Sequence, residues 1–438
     1  MDGEVCEHLH HDHDVAQLTR LQSEPHKLLS RRVPGKSTLP VSPVQMLARR
    51  EANFSGRSRF TSADSCHIQS RYLPHNGPRV IDKLQSFGYV TQFSHDGSLL
   101  VAGFWDGRIR VYNVDRGWNV RNNIRIRGFP VCDTSLSPDK RFLVYANMSH
   151  FLHIVNVESA TMESDPNIRE IHKGLNFAAA GDPTRHFNAN LISSVKFSTD
   201  GRELVAGSSN SSIYVYDLGE NRLSVHVGAH RSPVSTVCFA DESGQIIYSG
   251  GEEGLCKVWD RRILTYEQAS GILVGHVDGV SFIDSRGDSC HLISNARDHS
   301  IKLWDIRKMS SNITENAYKK RKIPLCDIHK VHRSSQGRIM RNFRHPYDIS
   351  LATYRGHEVY GVPIRCYFSP EKSTGQKYIY TGSSDGSVYI YDLLTGAQVA
   401  RLNHGRGIVR DCSWHPYFPS LVNSSRDGVI AKWDFSAL

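Results

Sequence analysis

The sequence contains no long apolar segment and no cysteine pair at metal-binding or redox spacing. No apolar run approaches the roughly 18 residues that a membrane helix needs. The nine cysteines form no C-x-x-C pair, and an odd, scattered set fits neither a disulfide framework nor a zinc ribbon. The N-terminus, rich in His and Asp, does not resemble a secretory signal. We therefore expect a protein of the nucleus and cytoplasm that has no membrane partner.

Motifs that carry catalytic or metal chemistry are also scarce. Residues 382–386 fit G-x-S-x-G, but we expect a turn between antiparallel strands there, whereas a nucleophile elbow needs a strand-turn-helix unit. Residues 35–37 resemble the end of a phosphate-binding loop, but Ser30 occupies the position of the earlier glycine. The Cys and His residues within 6–13 lie in a polar leader that fixes no ligand geometry. The sequence thus predicts a non-enzymatic protein with no cofactor and no metal.

The sequence does contain a repeat with a period of about 43 residues. Each copy has two apolar strands joined by a polar turn, then an Asp-type turn and a third strand. The third strands close on the pairs Tyr112-Asn113, Val155-Asn156, Tyr216-Asp217, Trp259-Asp260, Trp304-Asp305, Tyr391-Asp392 and Trp433-Asp434. This period is typical of four-stranded propeller blades. We therefore predict an all-β fold, a seven-bladed β-propeller over residues 79–438.

Four blades also open with a characteristic His. The opening pairs are Ala229-His230, Gly275-His276, Gly356-His357 and Asn403-His404. With the closing pairs, they make the chain resemble WD-repeat proteins over residues 79–438. In such blades a His, a Ser or Thr, the turn Asp and the Trp form a buried hydrogen-bonded chain, since buried polar groups have to be paired. The resemblance assigns this structural network in blade five to His276, Ser294, Asp298 and Trp304.

The order of the strands predicts how the ring closes. Each copy runs from the outer strand of the preceding blade into three inner strands, and the seventh blade has no outer strand after Trp433-Asp434. An open ring would expose an unpaired edge, so we expect residues 79–85 to supply the closing strand. Residues 1–78 are then a flexible leader. Its best candidate helix is at 44–54, and a weaker one is at 15–21.

Blades four and five differ from the others by an arginine three positions after the tryptophan. The two strings are Trp259-Asp260-Arg261-Arg262 and Trp304-Asp305-Ile306-Arg307. Strand alternation turns the tryptophan to the core and leaves the arginine past the strand end, on the rim where third strands finish. Two adjacent guanidinium groups there are able to bind carboxylates or carbonyls of a partner. The alternative interpretation is that each arginine pairs with an acidic group of its own blade.

The tandem W-D-x-R strings resemble those of propellers that are substrate receptors of cullin-4 RING ubiquitin ligases and dock on the adaptor damaged-DNA-binding protein one. Strings such as Asp200-Gly201-Arg202-Glu203 and residues 282–288 are similar to the WD-repeat protein 23 family, in its plant-type form. The resemblance implies that the chain holds the adaptor and presents a substrate protein for ubiquitination. The adaptor-binding residues that it implies are Trp259, Asp260, Arg262, Trp304, Asp305 and Arg307, with Val44 and Leu47 of a helix before the propeller.

A basic insertion interrupts blade five at residues 309–350, which contain nine Lys or Arg residues and three acidic residues. Its run Lys319-Lys320-Arg321-Lys322 is a candidate nuclear import signal or a patch for acidic partners, and a solvated loop is an equal alternative. Two other functions stay open. One is a WD-repeat scaffold of another complex, and the other is a nucleic-acid-associated propeller that uses the insertion. We favour the substrate receptor, with no nucleic-acid partner.

Overall fold

Seven four-stranded antiparallel sheets form the blades of a propeller, which confirms the predicted fold. The computed structural model describes residues 13–24, 48, 51, 61–126, 130–149, 151–158, 172–176, 191–266, 268–310 and 344–435. Blade by blade, the strands are β2–β5 (Gly88–Phe93, Leu99–Phe104, Arg108–Asn113, Asn119–Arg125), β6–β9 (Asp133–Leu136, Phe142–Ala146, Phe151–Asn156, His172–Asn176), β10–β13 (Ile192–Phe197, Glu203–Ser208, Ser212–Asp217, Arg222–Gly228), β14–β17 (Val234–Phe239, Ile246–Gly251, Cys256–Asp260, Gly271–Leu273), β18–β21 (Val280–Ser285, His291–Ala296, Ser300–Asp305, Ala352–Arg355), β22–β25 (Cys366–Phe368, Tyr378–Thr381, Ser387–Asp392, Gln398–Asn403) and β26–β28 (Val409–Trp414, Ser420–Ser425, Val429–Asp434) with β1 (Asn76–Lys83).

Position within a blade explains the composition of each strand. Second strands such as β3 and β19 are buried at every residue because neighbouring blades cover both of their faces. Outer strands such as β13 alternate between buried or half-buried and exposed residues, since one face meets solvent. These second strands are therefore buried along their whole length, whereas outer strands such as β13 show a clear period of two.

An apolar cluster lies between each pair of adjoining blades, all the way round the ring. The cluster between blades seven and one joins Leu84, Tyr112 and Ile430. Its presence shows that the last blade packs on the first as the others pack on their neighbours. The core is thus a set of seven interfaces rather than one central mass, and each blade depends on both of its neighbours.

The outer strand of blade seven comes from the N-terminal side of the propeller. Strand β1 (Asn76–Lys83) pairs antiparallel with β28, with Arg79 opposite Lys432 and Lys83 opposite Val429. A further backbone bond of 2.9 Å from Leu84 N to Gly428 O extends the contact. The segment with strand-like alternation before blade one therefore hydrogen-bonds to the last strand of the chain, and it covers the edge that β28 would otherwise expose.

Two parts of the leader are packed helices. Helix α1 (Asp14–Ser23) buries Val15 and Ala16 in the cluster between blades five and six. Helix α2 (Ser62–Gln69) begins with a capping box at Thr61, and it packs on the short helix α3 (Glu371–Thr374) of blade six. These two segments of the leader therefore pack on the propeller, because their buried apolar side chains contact it.

The better of the two candidate helices stays untested. Of residues 44–54, only Ala48 and Glu51 are described, so Val44 and Leu47 lie outside the described residues. Helix α1 corresponds to the weaker candidate, 15–21, lengthened at both ends. Among the described helices, none has the length and apolar character to span a membrane.

Both described ends of the basic insertion contact the propeller. Residues 311–343 lie outside the described residues. Ser310 exchanges backbone hydrogen bonds of 2.9 and 3.0 Å with Ile272 of blade four. Asp348 forms a buried ion pair with Lys302, and Ile349 packs between blades four and five. The described ends of the insertion are therefore held against blades four and five.

The ring has two faces that matter for function. The third-strand face is the end at which third strands finish, and it carries Asp260 and Asp305. The turn face is the opposite end, where tight turns such as Asp106-Gly107 join second and third strands. Gly107 has a φ of 80°, a conformation that glycine adopts at no steric cost.

Candidate functional site

A buried hydrogen-bonded chain holds the end of the third strand in blade five. Ser294 Oγ lies 2.7 Å from both His276 Nε2 and Trp304 Nε1, and His276 Nδ1 lies 3.0 Å from Asp298 Oδ2. All four residues are buried. Burial opposes the charge of Asp298, yet the adjacent imidazole holds the pKa of this carboxyl well below its usual range. The structure thus brings together the four residues that the WD-repeat resemblance singled out.

Blade four has the same arrangement with one substitution that the sequence pattern did not reveal. His230 Nε2 and Trp259 Nε1 lie 2.7 and 2.9 Å from Ser249 Oγ. Glu253 takes the place of the turn aspartate, and its Oε1 lies 2.7 Å from His230 Nδ1. The longer side chain reaches the same atom from the equivalent turn position, four residues after the serine in both blades. Blades four and five therefore carry equivalent networks, each anchoring a tryptophan.

The anchored tryptophan is followed by a turn that aims the arginine. In blade five a short 3-10 turn, Ile306–Lys308, begins after Asp305, whose Oδ1 accepts a 2.9 Å hydrogen bond from Arg307 N. The side chain of Arg307 then folds back on the same carboxylate, with Nε 3.0 Å from Oδ1 and Nη2 2.9 Å from Oδ2. This two-point pair raises the pKa of Arg307 and fixes the direction of its guanidinium group.

Blade four repeats this geometry. Arg262 Nε lies 2.8 Å from Asp260 Oδ1, and Arg262 Nη2 lies 2.6 Å from Asp260 Oδ2. The interpretation that each arginine pairs within its own blade is therefore correct. Pairing does not remove the arginines from solvent, because the side chains of Arg262 and Arg307 remain 65% and 50% exposed. Each one presents an oriented, half-exposed guanidinium group on the third-strand face.

The tryptophans of the two strings are buried, unlike the arginines. Trp259 is 2% exposed and Trp304 is not exposed at all. They were predicted with the adaptor-binding residues, but a buried ring does not touch a partner in this conformation. Their hydrogen bonds to Ser249 and Ser294 instead hold the strand ends from which the arginine turns start.

Helix α1 adds a leader residue to the arginine of blade five. Arg307 Nη1 donates a 2.7 Å hydrogen bond to Asp14 Oδ2, and this contact lowers the pKa of Asp14. His13 Nε2 lies 3.5 Å from Asp305 Oδ2 and completes the group. The guanidinium group of Arg307 thus bridges two carboxylates, whereas that of Arg262 binds one.

A buried arginine fixes α1 on the same face. Arg286 Nη1 donates to Thr19 Oγ1 at 2.9 Å, and Arg286 Nη2 donates to Gln22 Oε1 at 3.0 Å. Gln22 Nε2 also lies 3.3 Å from Glu371 Oε1 of blade six. The helix is therefore tied to two blades by polar contacts, in addition to the apolar burial of Val15.

The surroundings of the two arginines include exposed apolar side chains. Leu18 and Leu21 of α1 are 38% and 44% exposed, and Ile263, next to Arg262, is 59% exposed. Apolar side chains beside oriented arginines are a common composition of protein-binding surfaces. We call the set Arg262, Ile263, Arg307, Leu18 and Leu21 the third-strand patch.

Two motifs that imitate active sites have structural roles. Ser383, the centre of the G-x-S-x-G string, lies in the turn between β23 and β24, and its Oγ accepts a 3.0 Å hydrogen bond from Glu358 N. Of the residues in the N-terminal Cys and His cluster, only His13 is described, as the N-cap of α1. The described part of the chain holds no group of three or more potential metal ligands.

The sequence is similar to a family of repeat domains and to two known plant proteins. The WD domain, G-beta repeat, matches residues 82–113, 181–217, 222–260, 268–305, 349–392 and 396–434. The LEC14B homolog of Prunus armeniaca is 56% identical over 97% of this chain and 88% of its own length. The LEC14B protein of Lithospermum erythrorhizon is 53% identical over 97% of this chain and 89% of its own length.

A nematode protein extends the relationship beyond plants. The DDB1- and CUL4-associated factor 11 homolog of Caenorhabditis elegans is 32% identical over 97% of this chain and 73% of its own length.

The six matched repeats leave out blade two, whose third strand closes on Val155-Asn156 and lacks the usual aromatic residue and Asp. The chain is thus a WD-repeat protein of the family that contains the LEC14B proteins and the DDB1- and CUL4-associated factor 11 homologs.

Proposed function

We propose that this protein is a substrate receptor of a cullin-4 RING ubiquitin ligase. In this role it binds the adaptor damaged-DNA-binding protein one through its third-strand face and holds a target protein close to the ubiquitin-transferring subunits. It contributes no catalytic residue of its own, since proximity supplies the rate enhancement. The names of the nematode relatives, which are DDB1- and CUL4-associated factor 11 homologs, support this role.

The observation that carries the proposal is the matched pair of arginines on neighbouring blades. Arg262 and Arg307 leave the same face, and each is oriented by an aspartate two residues earlier. Exposed ion pairs of this kind add little to stability, with a median of about 0–1 kcal/mol. Their benefit is instead that the guanidinium groups are already ordered before a partner arrives, which lowers the entropic cost of binding.

The leader helix extends the proposed contact surface. Helix α1 lies against Arg307 and presents Leu18 and Leu21 to solvent, and Ile263 adds a third apolar side chain near Arg262. Interfaces usually depend on a few arginine or large apolar anchors surrounded by weaker contacts. We therefore propose that Asp260, Arg262, Asp305 and Arg307 act together with α1. The buried Trp259 and Trp304 act only by holding the strand ends.

Adaptor capture tests the proposal. Arg262→Ala and Arg307→Ala are each expected to weaken binding of purified adaptor by about 2 kcal/mol or more, the scale of an arginine hot spot. The double variant is expected to show almost no binding. Thermal melting of the same proteins is expected to change little, because both arginine side chains are at least half exposed and the backbone N–H at each position still binds the aspartate.

Arg401→Ala is a matched control. Arg401 is also an exposed arginine, 51% accessible and 2.8 Å from the carboxylate of Asp385, but it lies on the outer strand of blade six. It is expected to bind adaptor like the parent. A folded double variant that captures adaptor normally would overturn the docking assignment.

The proposal also includes residence in nucleus and cytoplasm, for which the basic run at residues 319–322 is a candidate import signal.

A further inference from the structure

The turn face of blades seven and one carries a cluster of aromatic rings and guanidinium groups that the proposed adaptor contact does not use. Phe87 and Trp105 are 40% and 44% exposed. The guanidinium group of Arg410 lies 3.5 Å from the ring centroid of Tyr89, and that of Arg426 lies 5.0 Å from the centroid of Phe87. We call these five residues the turn-face patch.

Bulges in two inner strands create this cluster. The pairing of β2 with β3 shifts between Gly88 and Val90, and the pairing of β26 with β27 shifts between Val409 and Asp411. The extra residues are Tyr89 and Arg410. A bulge re-aims the side chain of its extra residue, and here the two side chains meet across neighbouring blades.

In three other blades the extra residue of the equivalent bulge is a serine. Matching shifts occur in blades three, four and five, where the extra residues are Ser193, Ser235 and Ser281. The hydroxyls of Ser193 and Ser235 donate to backbone carbonyls of the next blade. The bulge therefore needs only a small hydroxyl residue for packing. The large aromatic and cationic side chains of blades one and seven go beyond that structural need.

Arg410 is buried without a matching anion. It is 9% exposed, and its Nε has no hydrogen-bond partner in the described structure. The carboxylates of the neighbouring turns are engaged elsewhere, Asp106 with Arg108 at 3.0 Å and Asp427 with His404 at 3.5 Å. Among the described residues, neither Arg410 nor Arg426 forms an ion pair. The buried charge of Arg410 therefore adds positive potential to this patch, and the exposed guanidinium group of Arg426 is accessible to an incoming carboxylate.

The apolar part of the patch restricts the kind of ligand. The Trp105 ring is tilted by 37° to that of Tyr89 and by 50° to that of Phe87, with centroids 5.2 and 6.5 Å away. Tilted rings offer no parallel stacking platform, whereas single-stranded nucleic acid is bound on stacking faces beside a row of exposed cations. One face of Tyr89 is already covered by Arg410. The shape therefore favours an apolar side chain over a base.

We infer that the turn-face patch binds an extended segment of a partner protein in which a large apolar side chain is followed by an Asp or Glu. The apolar side chain packs against the exposed rings of Phe87 and Trp105, and the carboxylate binds the exposed guanidinium group of Arg426, on the patch that also carries the charge of Arg410. This inference rests on the proposed function, because it identifies the surface that recognises the target. It lies on the face opposite the third-strand patch, so both partners are able to bind at once.

Peptide binding by the full-length chain tests the site without any adaptor. Fluorescent peptides with a central Leu-Asp or Phe-Asp are expected to bind about tenfold tighter than versions with Asn in place of Asp or Ser in place of the apolar residue. Trp105→Ala and Arg426→Ala, which alter exposed side chains, are each expected to weaken this binding about tenfold. Arg410→Met is expected to do the same, and Arg108→Ala, which alters an arginine paired within the same turn, is expected to leave binding unchanged.

Three results would overturn the inference. They are equal binding of the Asp and Asn peptides, unchanged binding by the Trp105 and Arg426 variants, and Arg426-dependent binding of a single-stranded oligonucleotide in preference to every peptide. Adaptor capture by the same variants is expected to match the parent. Loss of peptide binding with normal capture therefore locates the target site. Failure of the parent to capture adaptor counts against the proposed function alone.

Discussion

On the third-strand face, Arg262 and Arg307 each lie against an aspartate two residues earlier, whereas on the turn face Arg410 and Arg426 lie against aromatic rings. Arg262 and Arg307 are half exposed, and each is oriented by a carboxylate of the chain itself. In the second pair, Arg410 is nearly buried and has no described anion. One face thus presents arginines that are oriented by aspartates of the chain, while the other holds an arginine that lies against an aromatic ring.

Two buried arginines at the inner ends of blades six and seven make the contrast sharper. Arg365 lies 2.8 Å from Asp133 and 3.5 Å from Asp411, and these carboxylates raise its pKa. Burial lowers the pKa of Arg410 to about 10, since no carboxylate pairs with it. The same residue type at a similar depth thus shows opposite pKa shifts. The difference arises from ion pairing rather than from burial.

The largest expected effect concerns the paired arginine. Asp133→Ala removes a buried carboxylate from both Arg365 and Lys196, and we expect the free energy of unfolding to fall by about 3–5 kcal/mol. Urea unfolding measures this change. Asp106→Ala, which breaks the exposed pair with Arg108, is expected to cost less than about 1 kcal/mol. Equal losses in the two variants would show that burial of the pair is irrelevant.

The next effect concerns the leader. Deletion of residues 1–24 removes α1 and its Asp14 contact, and we expect adaptor affinity to fall by about 2 kcal/mol, as for Arg307→Ala. Deletion of residues 1–12 leaves α1 in place and is expected to have no effect. Peptide binding at the turn face is expected to be unchanged in both truncated proteins, because the described contacts of α1 lie on the third-strand face. Equal adaptor binding by the two deletions would exclude α1 from the interface.

A smaller effect depends on pH. Burial raises the pKa of Asp284 to about 7, while Phe368 N and the charge of Lys196 act in the opposite direction. In the unfolded chain an aspartate has a pKa of about 3.9, so between these values the folded state binds a proton that the unfolded state has lost. The resulting penalty is absent below about pH 4, grows as the pH rises and is complete above about pH 7.

Asp284→Asn is expected to remove this penalty. The variant should be more stable than the parent at pH 8, and its gain should be smaller at pH 5. Urea unfolding at both pH values measures the difference. A gain that is the same at both values would show that the Asp284 carboxyl does not titrate in this range.

The smallest expected effect concerns the unpaired arginine. Arg410→Met replaces a buried charge by an apolar side chain of similar length, and we expect the free energy of unfolding to change by less than about 1 kcal/mol. Peptide binding should nevertheless fall, so stability and recognition would separate at this position. A large loss of stability would mean that the cation–π contact with Tyr89 is a structural element of the ring.

Much of the fold and part of the candidate site follow from local patterns. The closing pairs and their spacing predict seven blades, and alternation before blade one points to the segment that pairs with β28. The W-D-x-R strings also predict that Arg262 and Arg307 leave the same rim. These features depend on residues close together in the chain, where strand alternation and turn chemistry decide the outcome.

Other features of the site depend on partners distant in sequence. Asp14 and Arg307 are 293 residues apart, and no periodicity connects them. The packing of α1 and α2 has the same origin, because these short helices are held by contacts with blades five and six. A polar segment that looks independent in the sequence therefore proved to be part of the third-strand face.

By itself, then, the sequence determined the number of blades, the residues that end each third strand and the two arginines that follow them. Only the tertiary structure decided which charges are paired. It placed Asp14 on Arg307, two carboxylates on Arg365 and an aromatic ring on Arg410. The physical reason is that strand alternation is a local property of the backbone, whereas ion pairing and burial depend on which blades the closed ring brings together.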